Sequence, residues 1–226
     1  MKATVNIIRA VTLCITFILF ACEKDNSEIT EGTVTDIEGN VYKTVKIGDQ
    51  WWMAENLKVT KYFNDVPIPV VASNSEWQNR STPAYCWYDN QESNKSIYGA
   101  LYNWYAVSTG RLCPTGWHVP SISEWSTLID HLEGISVAGG KLKETSAAYW
   151  QAPNTGATNE SGFTALPSGY RNYNGVFYGI NIEAEWLSST EKDDRDAWEF
   201  YLYPDNSCNV KYYWKTGGRA IRCIKD

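Results

Sequence analysis

The chain has 226 residues, a formal net charge of −6 and only two histidines. That length suits one domain with a full core. The acidic balance, with no basic stripe, excludes a nucleic-acid partner, and two histidines without any C-x-x-C pair exclude a zinc cluster.

In chain order, residues 10–21, "AVTLCITFILFA", come first, almost wholly apolar and preceded by Lys2 and Arg9. The run falls short of the roughly 20 residues a membrane span needs, and its charge order fits a secretory signal. It ends at Ala21-Cys22, where a small residue before a cysteine resembles a bacterial lipobox. The expectation is a lipoprotein signal peptide over 1–21 and lipidation of Cys22. Residues 22–32 then form a flexible tether, polar and poor in large side chains. Glu23-Lys24-Asp25 resembles the charged export signal of surface lipoproteins in the Bacteroidetes. The chain is therefore expected at the outer membrane, lipid-anchored and surface-exposed. Losing residues 1–21 removes Lys2 and Arg9 and no acid, so the charge of −6 becomes −8. A single domain is expected over 33–226.

Residues 34–57 read as a β-meander. Val41, Val45 and Ile47 share one face, while Tyr42, Thr44 and Lys46 take the other. Glu38-Gly39-Asn40 and Gly48-Asp49 supply the turns. Residues 58–84, punctuated by Pro67, Pro69 and Pro83, read as an irregular excursion. "SIYGALYNWYAV", residues 96–107, predicts a helix with Ile97, Leu101 and Trp104 on one stripe and Gly99 as a packing contact.

In "CPTGWHVPSISEWSTLI", residues 113–129, Ser121 and Glu124 have the spacing of a capping box. Ile122, Trp125, Leu128, Ile129 and Leu132 form the apolar stripe of a second helix, which Gly134 stops. Residues 137–181 are rich in Gly, Ser, Asn and Thr and read as loops with short strands. "DAWEFYLYP", "CNVKYYW" and "RAIRCI" close the chain as antiparallel strands. Trp198, Phe200 and Leu202 share one face of the first of these, and Glu199, Tyr201 and Tyr203 the other. The sum is an α+β domain. Outside the signal and lipid site, Cys86, Cys113, Cys208 and Cys223 allow three pairings, and disulfides are the default in an oxidising compartment. Cys113–Cys223 is favoured because it ties the helix start to the last strand, which leaves Cys86–Cys208.

Six segments together resemble one family, the Fibrobacter succinogenes major paralogous domain. They are "VTDIEGNVYKTVKIGDQWWMAENLK", "YGALYNWYA", "LCPTGWHVPSISEW", "TNESGFTALPSGYR", "WLSST" and "AIRCIKD". They occur in the family's order across nearly all of 34–226. The resemblance implies an exported bacterial protein, often a lipoprotein, with no established activity. More distantly, "WHVPSISEW" is similar to a helix start in sulfatase-modifying, formylglycine-generating proteins. That implies a C-type-lectin-like fold: two helices packed on antiparallel sheets, with a long irregular loop region.

No enzyme chemistry is expected. His118 lacks an assignable Ser-His-Asp pattern and reads as packed and hydrogen-bonded rather than catalytic. The paired copper-binding cysteines of formylglycine-generating enzymes have no counterpart near Cys223. The calcium motifs of sugar-binding C-type lectins are missing, and Asp193, Asp194 and Asp196 form only a weak candidate for calcium. No cofactor is expected. Eleven Trp and fifteen Tyr stand against six Phe. Their apolar faces and polar handles suit cores and sugar-binding surfaces alike. Trp186 and Phe163 read as core, and Tyr170, Arg171, Asn172 and Tyr173 as ligand-binding candidates on a turn. The expected function is a non-enzymatic binding or adhesion domain for an extracellular glycan or protein. The alternatives are a metal-dependent modifying enzyme or a structural envelope protein.

Overall fold

A computed structural model describes residues 29–226; the expected signal peptide over 1–21, the expected lipid site Cys22 and residues 23–28 of the expected tether lie outside the described residues. The meander forms as expected: β1 (Glu31–Thr35), β2 (Val41–Ile47) and β3 (Gln50–Met53). Asp36 shapes the first turn, its Oδ1 accepting from the amides of Glu38 and Asn40 at 2.9 Å each. β1 opens at Glu31, inside the stretch 22–32 expected as a tether. Val41 is exposed, whereas Tyr42, Thr44, Val45 and Ile47 are buried. Both faces of β2 are therefore covered where a one-sided stripe was expected.

The excursion over 58–84 is irregular except for α1 (Asn74–Gln78), which Ser73 caps and whose Trp77 is buried. A short ribbon pairs β4 (Tyr85–Cys86) with β5 (Leu101–Tyr102). That pairing breaks the expected helix over 96–107 into α2 (Lys95–Tyr98) and α3 (Trp104–Val107). Gly99 makes the break at φ +73°, where a Cβ would meet the Leu57 carbonyl oxygen at 2.8 Å. Asn103 then caps α3, its Oδ1 accepting from the Ala106 amide at 3.2 Å and from the Ala84 amide at 3.0 Å. Tertiary bonds thus override the i, i+4 apolar pattern.

β6 (Trp117–His118) leads into α4 (Ile122–His131), the longest helix, and the Ser121/Glu124 capping box is closed in both directions. The Gly-rich region holds α5 (Ala138–Leu142), β7 (Ser168–Arg171) and β8 (Phe177–Ile180). The closing strands are β9 (Ala184–Glu191), β10 (Asp196–Leu202), β11 (Cys208–Trp214) and β12 (Ile224–Lys225). One sheet has the order β1-β2-β3-β12-β6 and so joins the two ends of the domain; the second runs β11-β10-β9-β7-β8. The protein is α+β, with more strand than helix. No helix among the described residues is long and apolar enough to cross a membrane.

Trp125 of α4 joins the two sheets. Its ring lies 4.7 Å from Trp52 of the first and stacks at 4.4 Å on Phe200 of the second. Phe163 and Trp186 complete the cluster, both fully buried as expected. A second core surrounds the Cys113–Cys223 disulfide, which spans 110 residues. Cys86 and Cys208 do not pair, contrary to expectation; each is a buried free thiol. They sit in separate elements, the ribbon and β11, and burial pushes each thiol up to about 12. That suppresses the thiolate through which a disulfide would form.

Candidate functional site

Strand register decides which side chains share a surface. Glu199 lies opposite Lys211 and Ala197 opposite Tyr213 across β10 and β11, and Glu185 lies opposite Tyr201 across β9 and β10. Tyr170 lies opposite Tyr178 across β7 and β8. Directly paired residues point to the same side of a sheet. One face of the second sheet therefore carries Tyr170, Tyr178, Tyr201 and Tyr213, with Tyr203 continuing the β10 parity. Tyr178 is 43% exposed and the others are half-buried. The rings form two pairs, Tyr170 with Tyr178 at 5.8 Å and Tyr201 with Tyr203 at 5.0 Å.

Beneath the rings lies a charged floor. Arg219, Glu185 and Glu199 are each 1% exposed. The Arg219 Nε lies 2.8 Å from Glu199 Oε2 and in direct contact with Glu185 Oε2. Lys211 Nζ reaches Glu185 Oε1 at 2.7 Å and Glu199 Oε1 at 3.3 Å. The two cations thus face the two carboxylates. Burial pushes the Glu199 carboxyl up to about 7; Arg219 and Lys211 oppose the rise and Glu185 adds to it. Burial works against the Arg219 charge, but the two glutamates outweigh it and hold its guanidinium above the ordinary value. The guanidinium carbon sits 4.4 Å from the Tyr170 ring centre and 5.0 Å from that of Tyr213, and Lys211 Nζ 4.4 Å from that of Tyr201. These cation–π contacts fix the rings from below. The result is an aromatic platform on a floor of paired charges.

The expected ligand residues divide on this map. Tyr170 lies on the platform. Asn172 borders it, its Oδ1 accepting from the Tyr213 hydroxyl at 3.0 Å. Tyr173 stacks on Trp214 at 4.2 Å, beside β11. Arg171 is not a ligand residue. It is fully buried, and its guanidinium donates to the carbonyls of Gly175 at 2.8 Å, Val71 at 2.6 Å and Ala72 at 2.8 Å. Its side chain cross-links the excursion to the turn after β7. The acidic residues are not gathered around a metal. Asp193 accepts from the amides of Arg195 and Asp196, the Asp196 carboxylate is held by Arg195 at 2.7 Å, and Asp194 is exposed. No three His, Cys, Asp or Glu side chains among the described residues group as metal ligands do. Sequence reading missed Glu185, Glu199, Lys211 and Arg219. Strand alternation put Glu199 on a polar face, but only the register shows that this face is shielded.

His118 is clamped on both sides. Nδ1 lies 2.7 Å from Asp226 Oδ1 and Nε2 2.8 Å from Glu124 Oε1, so neither nitrogen is open to a substrate proton. Burial lowers the imidazole, and the bonds to Asp226 and Glu124 outweigh it, so the folded value sits above the ordinary 6.5. Stability from this clamp is full below 6.5 and is lost as pH rises through the folded value. Glu199, raised from 4.5, acts in the same direction across 4.5 to 7. Urea unfolding is therefore expected to show stability falling from pH 5 to pH 8. His118→Gln should flatten the part above 6.5, modestly, because the side chain is 42% exposed.

A family model described as the Fibrobacter succinogenes major domain matches residues 45–225. No curated protein and no solved structure matches the chain.

Proposed function

The chain belongs to the Fibrobacter succinogenes major domain family, and we propose that it is a lipid-anchored outer-membrane binding module whose tyrosine platform holds an extracellular glycan or protein. The observation that carries this reading is the platform itself: five tyrosine rings presented on one sheet face over buried, paired charges. Tyrosine gives large contact area for little lost conformational freedom. Its ring face accepts the apolar face of a sugar or a side chain, and its hydroxyl bonds the polar edge. The lipid anchor and surface position rest on residues 10–25. A C-type-lectin-like architecture belongs to the same proposal. It is supported by the capped start of α4, by a sheet joining both ends of the domain, and by the irregular stretch between α5 and β7.

The full chain in detergent, applied to arrays of glycans and extracellular matrix proteins, should be retained by members of one class. Absence of retention across both arrays rejects the reading. A Tyr201→Ala chain should bind the retained class about tenfold more weakly, as loss of one well-packed anchor ring does.

A further inference from the structure

We infer that β11 is a self-association edge, and that a second copy of this chain pairs with it in antiparallel register about Tyr212. β11 is the outer strand of its sheet. The Lys215 amide donates to the Arg195 carbonyl at 2.9 Å, so the odd-numbered residues of β11 spend their backbone groups on β10. The even-numbered ones face outward, as the bond from the Cys208 amide to the Ile135 carbonyl at 2.9 Å confirms.

Which outward groups are free is what names the occupant. The Val210 amide is taken by the Asn209 side chain at 2.8 Å, and the Trp214 carbonyl by the Gly217 amide at 2.7 Å. The amide and carbonyl of Tyr212, the amide of Trp214 and the carbonyl of Val210 have no hydrogen-bond partner among the described residues. A two-fold axis at Tyr212 matches this pattern. Each Tyr212 amide meets the other copy's Tyr212 carbonyl, and each Trp214 amide meets the other copy's Val210 carbonyl. The two groups that this axis would otherwise oppose, the Val210 amide and the Trp214 carbonyl, are the two already satisfied within the chain. Self-complementarity of this kind belongs to isologous dimers.

The side chains agree. Tyr212 is 50% and Trp214 38% exposed, and Trp198 lies edge-on to Tyr212 at 5.4 Å. The axis extends these rings into an aromatic ladder across the junction. On the opposite face, Lys211 comes to lie against Tyr213 of the other copy rather than against a second lysine. An exposed strand edge is otherwise an aggregation hazard. Pairing also joins two tyrosine platforms into one surface.

Disulfide trapping in the full chain tests the edge and its register together. Hydrogen-bonded antiparallel partners have Cα atoms about 5.5 Å apart, within disulfide reach. Under mild oxidation Tyr212→Cys should give a linked dimer on a non-reducing gel, whereas the exposed Asn209→Cys should remain monomeric. Val210→Cys and Trp214→Cys should each fail alone and link when the two chains are mixed. Circular dichroism confirms that each variant is folded. Failure of Tyr212→Cys to link, linking at Asn209→Cys to the same extent, or linking to a different protein would each overturn the inference.

Discussion

Arg219→Met should destabilise the folded chain by about 3–5 kcal/mol, the range seen when one partner of a buried ion set is removed. The residue is 1% exposed and lies against two carboxylates that are equally buried. Methionine fills similar volume, so the loss is electrostatic rather than a cavity effect. Only Lys211 would remain to balance Glu185 and Glu199. With a cation gone, the carboxylates hold their protons to higher pH. The deficit in urea unfolding should therefore be larger at pH 8 than at pH 5.5. Adding Glu199→Gln removes one of the two stranded charges and should recover part of the loss, giving a coupling that a double-mutant cycle resolves. A deficit independent of pH, with no recovery in the double variant, would show that the floor is held by packing alone.

Removing the Cys113–Cys223 bridge by double alanine substitution is the second large change, expected to cost about 4–5 kcal/mol. The bridge closes a loop of 110 residues, and in the chain-entropy account the denatured ensemble gains that much on release. The melting temperature should fall by roughly 10–15 °C for a domain of this size. Cys223 precedes β12, whose Ile224 pairs with Trp52 on one side and His118 on the other. Local opening should therefore appear first at β6 and β12, read as faster amide exchange at Ile224. Reductant should lower the melting temperature of the natural chain and leave the double variant unchanged.

Much of this architecture is legible in the sequence because its signals are local. The meander follows from alternation broken by Gly39 and Gly48. The start of α4 follows from Ser121 and Glu124, and its burial from the stripe led by Trp125. The Cys113–Cys223 disulfide could be placed because its cysteines flank elements recognisable on their own. The misread parts depend on contacts distant in sequence. Leu101 and Tyr102 have helical spacing but are drawn into a ribbon by Tyr85 and Cys86. Arg171 stands in a turn rich in Gly and Asn, as a surface residue would, yet carbonyls about one hundred positions away bury it. Lys143 is buried in the same way, its Nζ donating to the carbonyls of Pro204 at 2.8 Å and Asp205 at 2.6 Å, and nothing in its local sequence marks it. The candidate site was half visible. Tyr170 and Asn172 stood out as turn residues, but Tyr201, Tyr213 and the ions beneath them converge only once β7, β9, β10 and β11 are in register.

The central claim is that the tyrosine platform is the binding surface. It is tested most directly by comparing three full-length chains on the same glycan and protein arrays: the natural one, Tyr178→Ala with Tyr201→Ala, and Phe63→Ala. Phe63 is 41% exposed and lies in the excursion, its amide donating to the Arg111 carbonyl at 3.0 Å. The natural chain and Phe63→Ala should bind alike, and the double tyrosine variant should lose roughly a hundredfold in affinity while remaining folded by circular dichroism. Undiminished binding by the folded tyrosine variant would contradict the account.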